Sequence, residues 1–178
     1  MEIKAKTKTE QILTVMKILA WVAFVGFLIE GGAVLFSYAI SIVNPDAAKN
    51  LYHGLDFYNL REFNGWHYTL AVSFTIALSI MKAYVWYLVI NILTKINLGN
   101  PFTMEVAQGL EKISYVLFGT WLVGLISGVH TAWLLKLTGV VYSSKVPGEF
   151  IFMAGLVFII SQIFKRGVEI QIENDLTV

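Results

Sequence analysis

Four long apolar stretches decide what this chain can fold into. They cover about residues 18–43, 66–94, 113–135 and 148–166, and only isolated charged residues interrupt them. A helix needs roughly 20 apolar residues to cross a bilayer core of about 30 Å. A soluble helix would show a polar face, which these stretches largely lack. The sequence therefore predicts an all-α fold: an integral membrane bundle of four transmembrane helices, with residues 1–178 as a single transmembrane domain.

Composition excludes several functional classes. The chain is 57% hydrophobic and 14% charged, whereas a soluble domain has about 25% charged residues. Its formal net charge of +1 gives no reason to expect direct nucleic acid binding. The absence of cysteine rules out disulfides, thiolate metal sites and a cysteine nucleophile within this sequence.

The distribution of lysine and arginine predicts the orientation. With four spans both termini lie on one side, and that side has eight Lys and Arg residues, against four in the other two connections. The positive-inside rule therefore predicts cytoplasmic N and C termini. The first outer connection, residues 44–65, contains Tyr52, Phe57, Tyr58 and Phe63. It is too apolar for a free linker, so we expect it to form a small outer cap.

Two charged residues of opposite sign lie inside the first two stretches. Glu30 lies 13 residues beyond Lys17, and Lys82 lies 13 residues before Lys95. At 1.5 Å per residue both are about 20 Å from the cytoplasmic helix ends. An unpaired charge inside a bilayer is costly. We therefore predict an intramembrane ion pair between Glu30 and Lys82, serving either to fix the helix register or as a proton or ligand site.

Small and polar residues at helical spacing accompany this candidate pair. Such residues let helices approach closely in lipid and can donate hydrogen bonds to a carboxylate. They predict a semi-polar bundle interior, with apolar side chains facing the lipid. The polar lining residues selected on this basis are Ser37, Ser79, Ser127 and Gln162.

The three histidines, His53, His67 and His130, fall toward the predicted outer side together with Asp56, Glu62 and Glu149. Histidine and carboxylate ligands can hold a divalent metal, and His67 with His130 could ligate a haem from facing helices. However, no two histidines are four residues apart, and the depths of His67 and His130 do not match well. We therefore expect no metal, no cofactor and no catalytic residues, and a metal- or haem-binding protein remains a second alternative.

Two sequence signals for the start of a helix lie on the predicted cytoplasmic side. Thr7 and Glu10 have capping-box spacing, and Thr103 follows the turn at Gly99-Asn100-Pro101 as an N-cap candidate. The apolar stripe that follows predicts a helix that either lies on the membrane surface or extends the third span.

Three short segments stand out: "GNPFT" before the third span, and "KRG" followed by "ENDLTV" at the end of the chain. Together with the four spans, they resemble a bacterial membrane family catalogued as domain of unknown function 2975. The resemblance covers essentially the whole chain. It implies a four-helix protein of the cytoplasmic membrane whose gene often neighbours that of a small helix-turn-helix regulator, and it transfers no catalytic residue. It also implies a shared cytoplasmic surface, for which the candidates are Asn100, Pro101, Phe102, Thr103, Glu173, Asn174 and Asp175.

Together these observations predict a non-enzymatic polytopic membrane protein with an interaction, sensing or regulatory role. The expected partners are membrane lipid and, on the basis of the resemblance, a small helix-turn-helix regulator or another membrane protein, and oligomers are possible. The first alternative is a transporter or channel subunit that uses Glu30 and Lys82. Four helices leave no room for a wide pore within one chain, so a channel would require oligomers.

Overall fold

The computed structural model describes residues 7–97, 99–139 and 148–175, and within these ranges the fold is helical. The elements are α1 (Lys8–Val43), a short 3-10 helix η1 (Pro45–Lys49), α2 (Tyr58–Phe63), α3 (Gly65–Lys95), α4 (Met104–Thr138) and α5 (Glu149–Asp175). Among them α1, α3, α4 and α5 are long and apolar enough to cross a membrane. Each contains one of the predicted apolar stretches to within a residue, so the chain is an all-α, multi-pass membrane protein.

Side-chain caps determine where α1 and α4 begin. The Thr7 side chain accepts a hydrogen bond from the Glu10 amide, and the Glu10 carboxylate accepts one from the Thr7 amide, which confirms the capping box. The Thr103 hydroxyl oxygen accepts a bond from the Val106 amide at 3.3 Å. Val106 and Ile113 are buried. The helix after the inner connection therefore extends the third span instead of lying on the membrane surface.

The long helices pack in chain order. α1 packs against α3, α3 against α4, and α4 against α5. Over the described residues, extensive packing between α1 and α5 is absent. The arrangement is thus a curved row whose two outermost helices flank an open groove.

Close contacts fix the register of α1 against α3. A Cβ built on the buried Gly31 would lie 3.4 Å from the Cβ of Ser79, so a small residue is needed to keep the helices close. Near the other end of the interface, the hydroxyls of Ser41 and Tyr68 are 2.6 Å apart, and both residues are buried. Paired hydroxyls satisfy each other where no water is available.

Residues 44–64 fold back onto the ends of the helices. Leu51, Phe57 and Leu60 are buried in one apolar cluster with Val34 of α1 and Tyr68 of α3. The apolar composition of this connection therefore serves packing, as predicted for a small cap. Its location on the outer side of the membrane stays a prediction.

Candidate functional site

The groove between α1 and α5 has a volume of about 450 Å³. Its walls are apolar and come from four helices, with Phe27 from α1, Trp86 from α3, Leu117 from α4 and Met153 from α5 among the lining residues. Two charged residues also line it, Lys82 from α3 and Glu149 from the first turn of α5. A cavity of this size lies within the range of ~300–1,000 Å³ that is usual for small-molecule sites.

Lys82 contacts an aromatic ring in this groove. Its Nζ lies 5.5 Å from the centroid of the Phe27 ring, which is within cation–π range. The ion pairs found among the described residues, with N–O distances up to 4.0 Å, do not include Lys82. Lys82 is therefore a half-buried lysine in apolar surroundings, and no carboxylate of the described residues lies within 4.0 Å of its ammonium.

Glu30 opens into a different cavity. This second cavity, of about 440 Å³, lies beneath the folded connection and is lined by Glu30, Tyr52, His53 and Thr75 among others. The predicted direct ion pair between Glu30 and Lys82 is not formed in this structure. Equal depth was not sufficient to predict the ion pair. Depth gives the position of a residue along the helix axis, but it does not give the direction in which its side chain points around that axis.

The four predicted lining residues have different environments. Ser79 and Ser127 are buried, and Ser37 is half-buried. Gln162, which was predicted to line the interior, is exposed, and its amide donates to the Glu111 carboxylate at 3.4 Å. Its neighbour Ser161 is fully buried instead and donates to the Phe158 carbonyl at 2.6 Å. A helix turns by about 100° per residue, so an error of one position moves a side chain to another face.

Two of the histidines meet. Nδ1 of His67 lies 3.2 Å from Nε2 of His130, and Trp133 lies beside both rings. The expectation that their depths differ was therefore wrong, since α3 and α4 bring them into hydrogen-bonding contact. His53 is elsewhere, at the second cavity, with a positive φ of 47°. Within the described ranges no three histidine or carboxylate residues cluster in a way that could hold a metal ion.

The predicted cytoplasmic surface is organised around Phe102. Its ring centroid lies 5.2 Å from that of Phe164, and a Cβ built on Gly167 would lie 2.7 Å from its Cδ1. Next to Phe164 in the sequence, Lys165 has its Nζ 2.7 Å from the Glu111 carboxylate, and both side chains are largely buried. The inner connection, α4 and α5 are thereby joined in one ordered surface, called the inner face below.

The remaining surface candidates lie on or near the inner face. The Asn100 amide donates to the Asn97 carbonyl at 3.1 Å, and Pro101 is exposed beside it. Glu173 lies 3.9 Å from Arg166, and Asn174 and Asp175 are the last described residues of α5. The connection thus contacts α5 near residues 164–167, and residues 176–178 of the predicted tail lie outside the described ranges.

Sequence reasoning missed the Glu111–Lys165 ion pair and the importance of Gly167. The pair joins residues 54 positions apart, and no local pattern indicates such a contact. Gly167 was visible only as part of "KRG". A glycine inside a predicted helix is a signal of close packing, because it otherwise costs helix stability.

Comparison with known proteins supplies one match. A family model described as "Protein of unknown function (DUF2975)" matches residues 43–178. No curated protein and no solved structure matches the chain.

Proposed function

Because the chain belongs to the DUF2975 family, whose function is unknown, we propose a role from its geometry: a non-enzymatic membrane protein that presents a cytoplasmic surface to a protein partner. The observation that supports this proposal is the docking of Phe102 onto α5 at Gly167. A flexible connection would lose conformational freedom on binding a partner, and this docking removes much of that cost in advance.

Exposed side chains of the inner face offer both apolar and charged contacts. Phe102 and Met104 are about 40% exposed, and Ile170 and Ile172 are about half exposed. Charged residues accompany them, with Arg166 between Glu169 at 2.7 Å and Glu173 at 3.9 Å. Aromatic residues, methionine and arginine are enriched in protein interfaces.

A small helix-turn-helix regulator, which the family resemblance implies, is the first candidate partner. On the basis of the family resemblance we place the protein in the cytoplasmic membrane of a bacterial cell. The lysine and arginine distribution supports cytoplasmic termini. Transport is the weaker alternative, since Glu30 and Lys82 line separate cavities.

The proposal is tested by site-specific photo-crosslinking in native membranes. A photoreactive residue at Glu169, on the inner face, should give one crosslinked product of defined mass. The same residue at Glu62, on α2 at the opposite end of the bundle, is the matched control and should not give that product. The reversal Arg166→Glu, assayed with the crosslinker at Glu169, should remove the product while the protein stays in the membrane.

Three results would contradict the proposal. No discrete product from Glu169 would mean that the inner face has no stable partner. The same product from Glu62 would mean that capture is not specific to this face. A product of twice the chain's own mass would indicate self-association in place of a separate partner.

A further inference from the structure

The groove between α1 and α5 contains two opposite charges at different depths. The Lys95–Glu105 ion pair places the inner ends of α3 and α4 at one level. From Lys95, Lys82 is 13 residues along α3, which corresponds to about 20 Å of helix. The ammonium of Lys82 therefore enters the groove well inside a hydrocarbon core of about 30 Å.

Glu149 lies farther from the inner ends. Glu111 is six residues along α4 from Glu105 and contacts Lys165, and Glu149 is 16 residues from Lys165 along α5. The two segments add about 9 Å and about 24 Å, so Glu149 is about 33 Å from the inner ends. The acid thus lies near the boundary of the core, about 13 Å beyond the level of Lys82.

The order of these charges matches one class of membrane component. In a phospholipid with an aminoalkyl headgroup, the phosphate is attached to the glycerol and the ammonium lies beyond it, nearer the water. In the groove the cation, Lys82, lies deeper and the acid, Glu149, lies at the rim. An acyl chain continuing inward would meet the apolar side chains of Trp86, Val89 and Ile113.

We propose that this groove binds a phospholipid with an aminoalkyl phosphate headgroup, whose phosphate contacts Lys82 and whose ammonium contacts Glu149. Lys82 otherwise has no carboxylate within 4.0 Å among the described residues, so a phosphate would supply the missing anion. Charge-assisted hydrogen bonds to phosphate are roughly twice as strong as neutral ones. The lipid is that of the leaflet remote from Lys95.

The groove lies on a different part of the molecule from the inner face, and its occupancy does not require a cytoplasmic partner. Helix α5 belongs to both, because Glu149 and Met153 line the groove and Gly167 receives Phe102. Helix α5 therefore contributes both to the lipid groove and to the inner face.

Trp86 gives a direct probe, since it lines the groove. Full-length protein with the other four tryptophans changed to phenylalanine is reconstituted into phosphatidylglycerol bilayers. Phosphatidylethanolamine or phosphatidylglycerol with brominated acyl chains is then added, and quenching of Trp86 fluorescence is measured. We expect half-maximal quenching at about tenfold lower content of the ethanolamine lipid, a ratio typical of one additional charge-assisted contact.

Matched variants identify the two contacts. Glu149→Gln should remove the preference, because only the ethanolamine lipid has an ammonium, and Glu149→Asp should keep it. Both lipids have a phosphate, so the Lys82 contact is measured against brominated diacylglycerol, which has none. Lys82→Met should reduce the advantage of phosphatidylglycerol over diacylglycerol, and Lys82→Arg should keep it. Lys112→Met is the control for loss of a lysine. Lys112 has a similar aromatic contact, 5.7 Å from the Tyr84 centroid, but does not line the groove. A reporter at Trp21, which is exposed on α1 outside the groove, should show no preference between the lipids.

Several outcomes would overturn the proposal. Equal quenching of Trp86 by both lipids would mean that the groove holds only unselected boundary lipid. Protection of Trp86 from both lipids would mean that protein, such as a second copy of the chain, covers it. A preference for the ethanolamine lipid that survives Glu149→Gln, or an advantage of phosphatidylglycerol over diacylglycerol that survives Lys82→Met, would exclude the corresponding contact. If a variant fails to fold, quenching of Trp86 by the two lipids in protein with an unchanged groove still tests the proposal.

Discussion

Gly167 and Phe102 provide a sharp test of the inner face, because two opposing effects meet at this contact. Replacing Gly by Ala inside a helix gains about 1 kcal/mol of helix stability. At position 167 the new Cβ would lie 2.7 Å from Cδ1 of Phe102, which forces the ring to move. The loss of the ring contact therefore opposes the gain in helix stability.

The size of that loss follows from burial. Phe102 is 40% exposed, so about three-fifths of the side chain is covered. Complete burial of a phenylalanine stabilises by about 1.5–3 kcal/mol, which gives about 1–2 kcal/mol for this contact. We expect Gly167→Ala to be neutral or to lower the free energy of unfolding by up to about 1 kcal/mol, since propensity offsets part of the loss. In a Phe102→Ala background, Gly167→Ala should raise the free energy of unfolding by about 1 kcal/mol.

The measurement is a double-mutant cycle on the free energy of unfolding in mixed micelles, with hydrogen exchange of the amides of residues 99–103 as a local readout. Gly155→Ala is the matched control, because it lies on the same helix and a Cβ added there would meet nothing within 4 Å. Its effect should not depend on residue 102. Equal effects of Gly167→Ala in both backgrounds, within about 0.5 kcal/mol, would refute the contact.

Three further predictions concern topology, metal binding and the intramembrane charges. Because the chain has no cysteine, a single cysteine at Asn59 should react with an impermeant thiol reagent in intact cells, whereas one at Asp175 should not; labelling at Asp175 would overturn the predicted orientation. Protein purified without chelator should contain no stoichiometric transition metal, and about one zinc or iron per chain by elemental analysis, lost on His130→Ala, would contradict this. Glu30→Gln and Lys82→Met should have additive effects on unfolding in a double-mutant cycle, because the two residues line separate cavities; a coupling well above about 0.5 kcal/mol would show that they interact.

The sequence alone determined the four long helices and the class of protein. Apolar length predicted four membrane-spanning helices, because a span depends on consecutive residues and on the fixed rise of a helix. The caps at Thr7 and Thr103 were predictable for the same reason, since donor and acceptor lie three residues apart. The apolar content of residues 44–64 likewise predicted that this connection packs against the helices.

Only the tertiary structure decided which side chains meet. Glu30 and Lys82 have similar depths but open into separate cavities, whereas His67 and His130 were judged to differ in depth and lie 3.2 Å apart. Depth follows from counting residues along one helix. Contact also depends on helix rotation, tilt and the order of neighbours, which are set by packing between distant parts of the chain. The groove shows this most clearly. Four helices each contribute residues to its wall, so no single segment of the sequence predicts it.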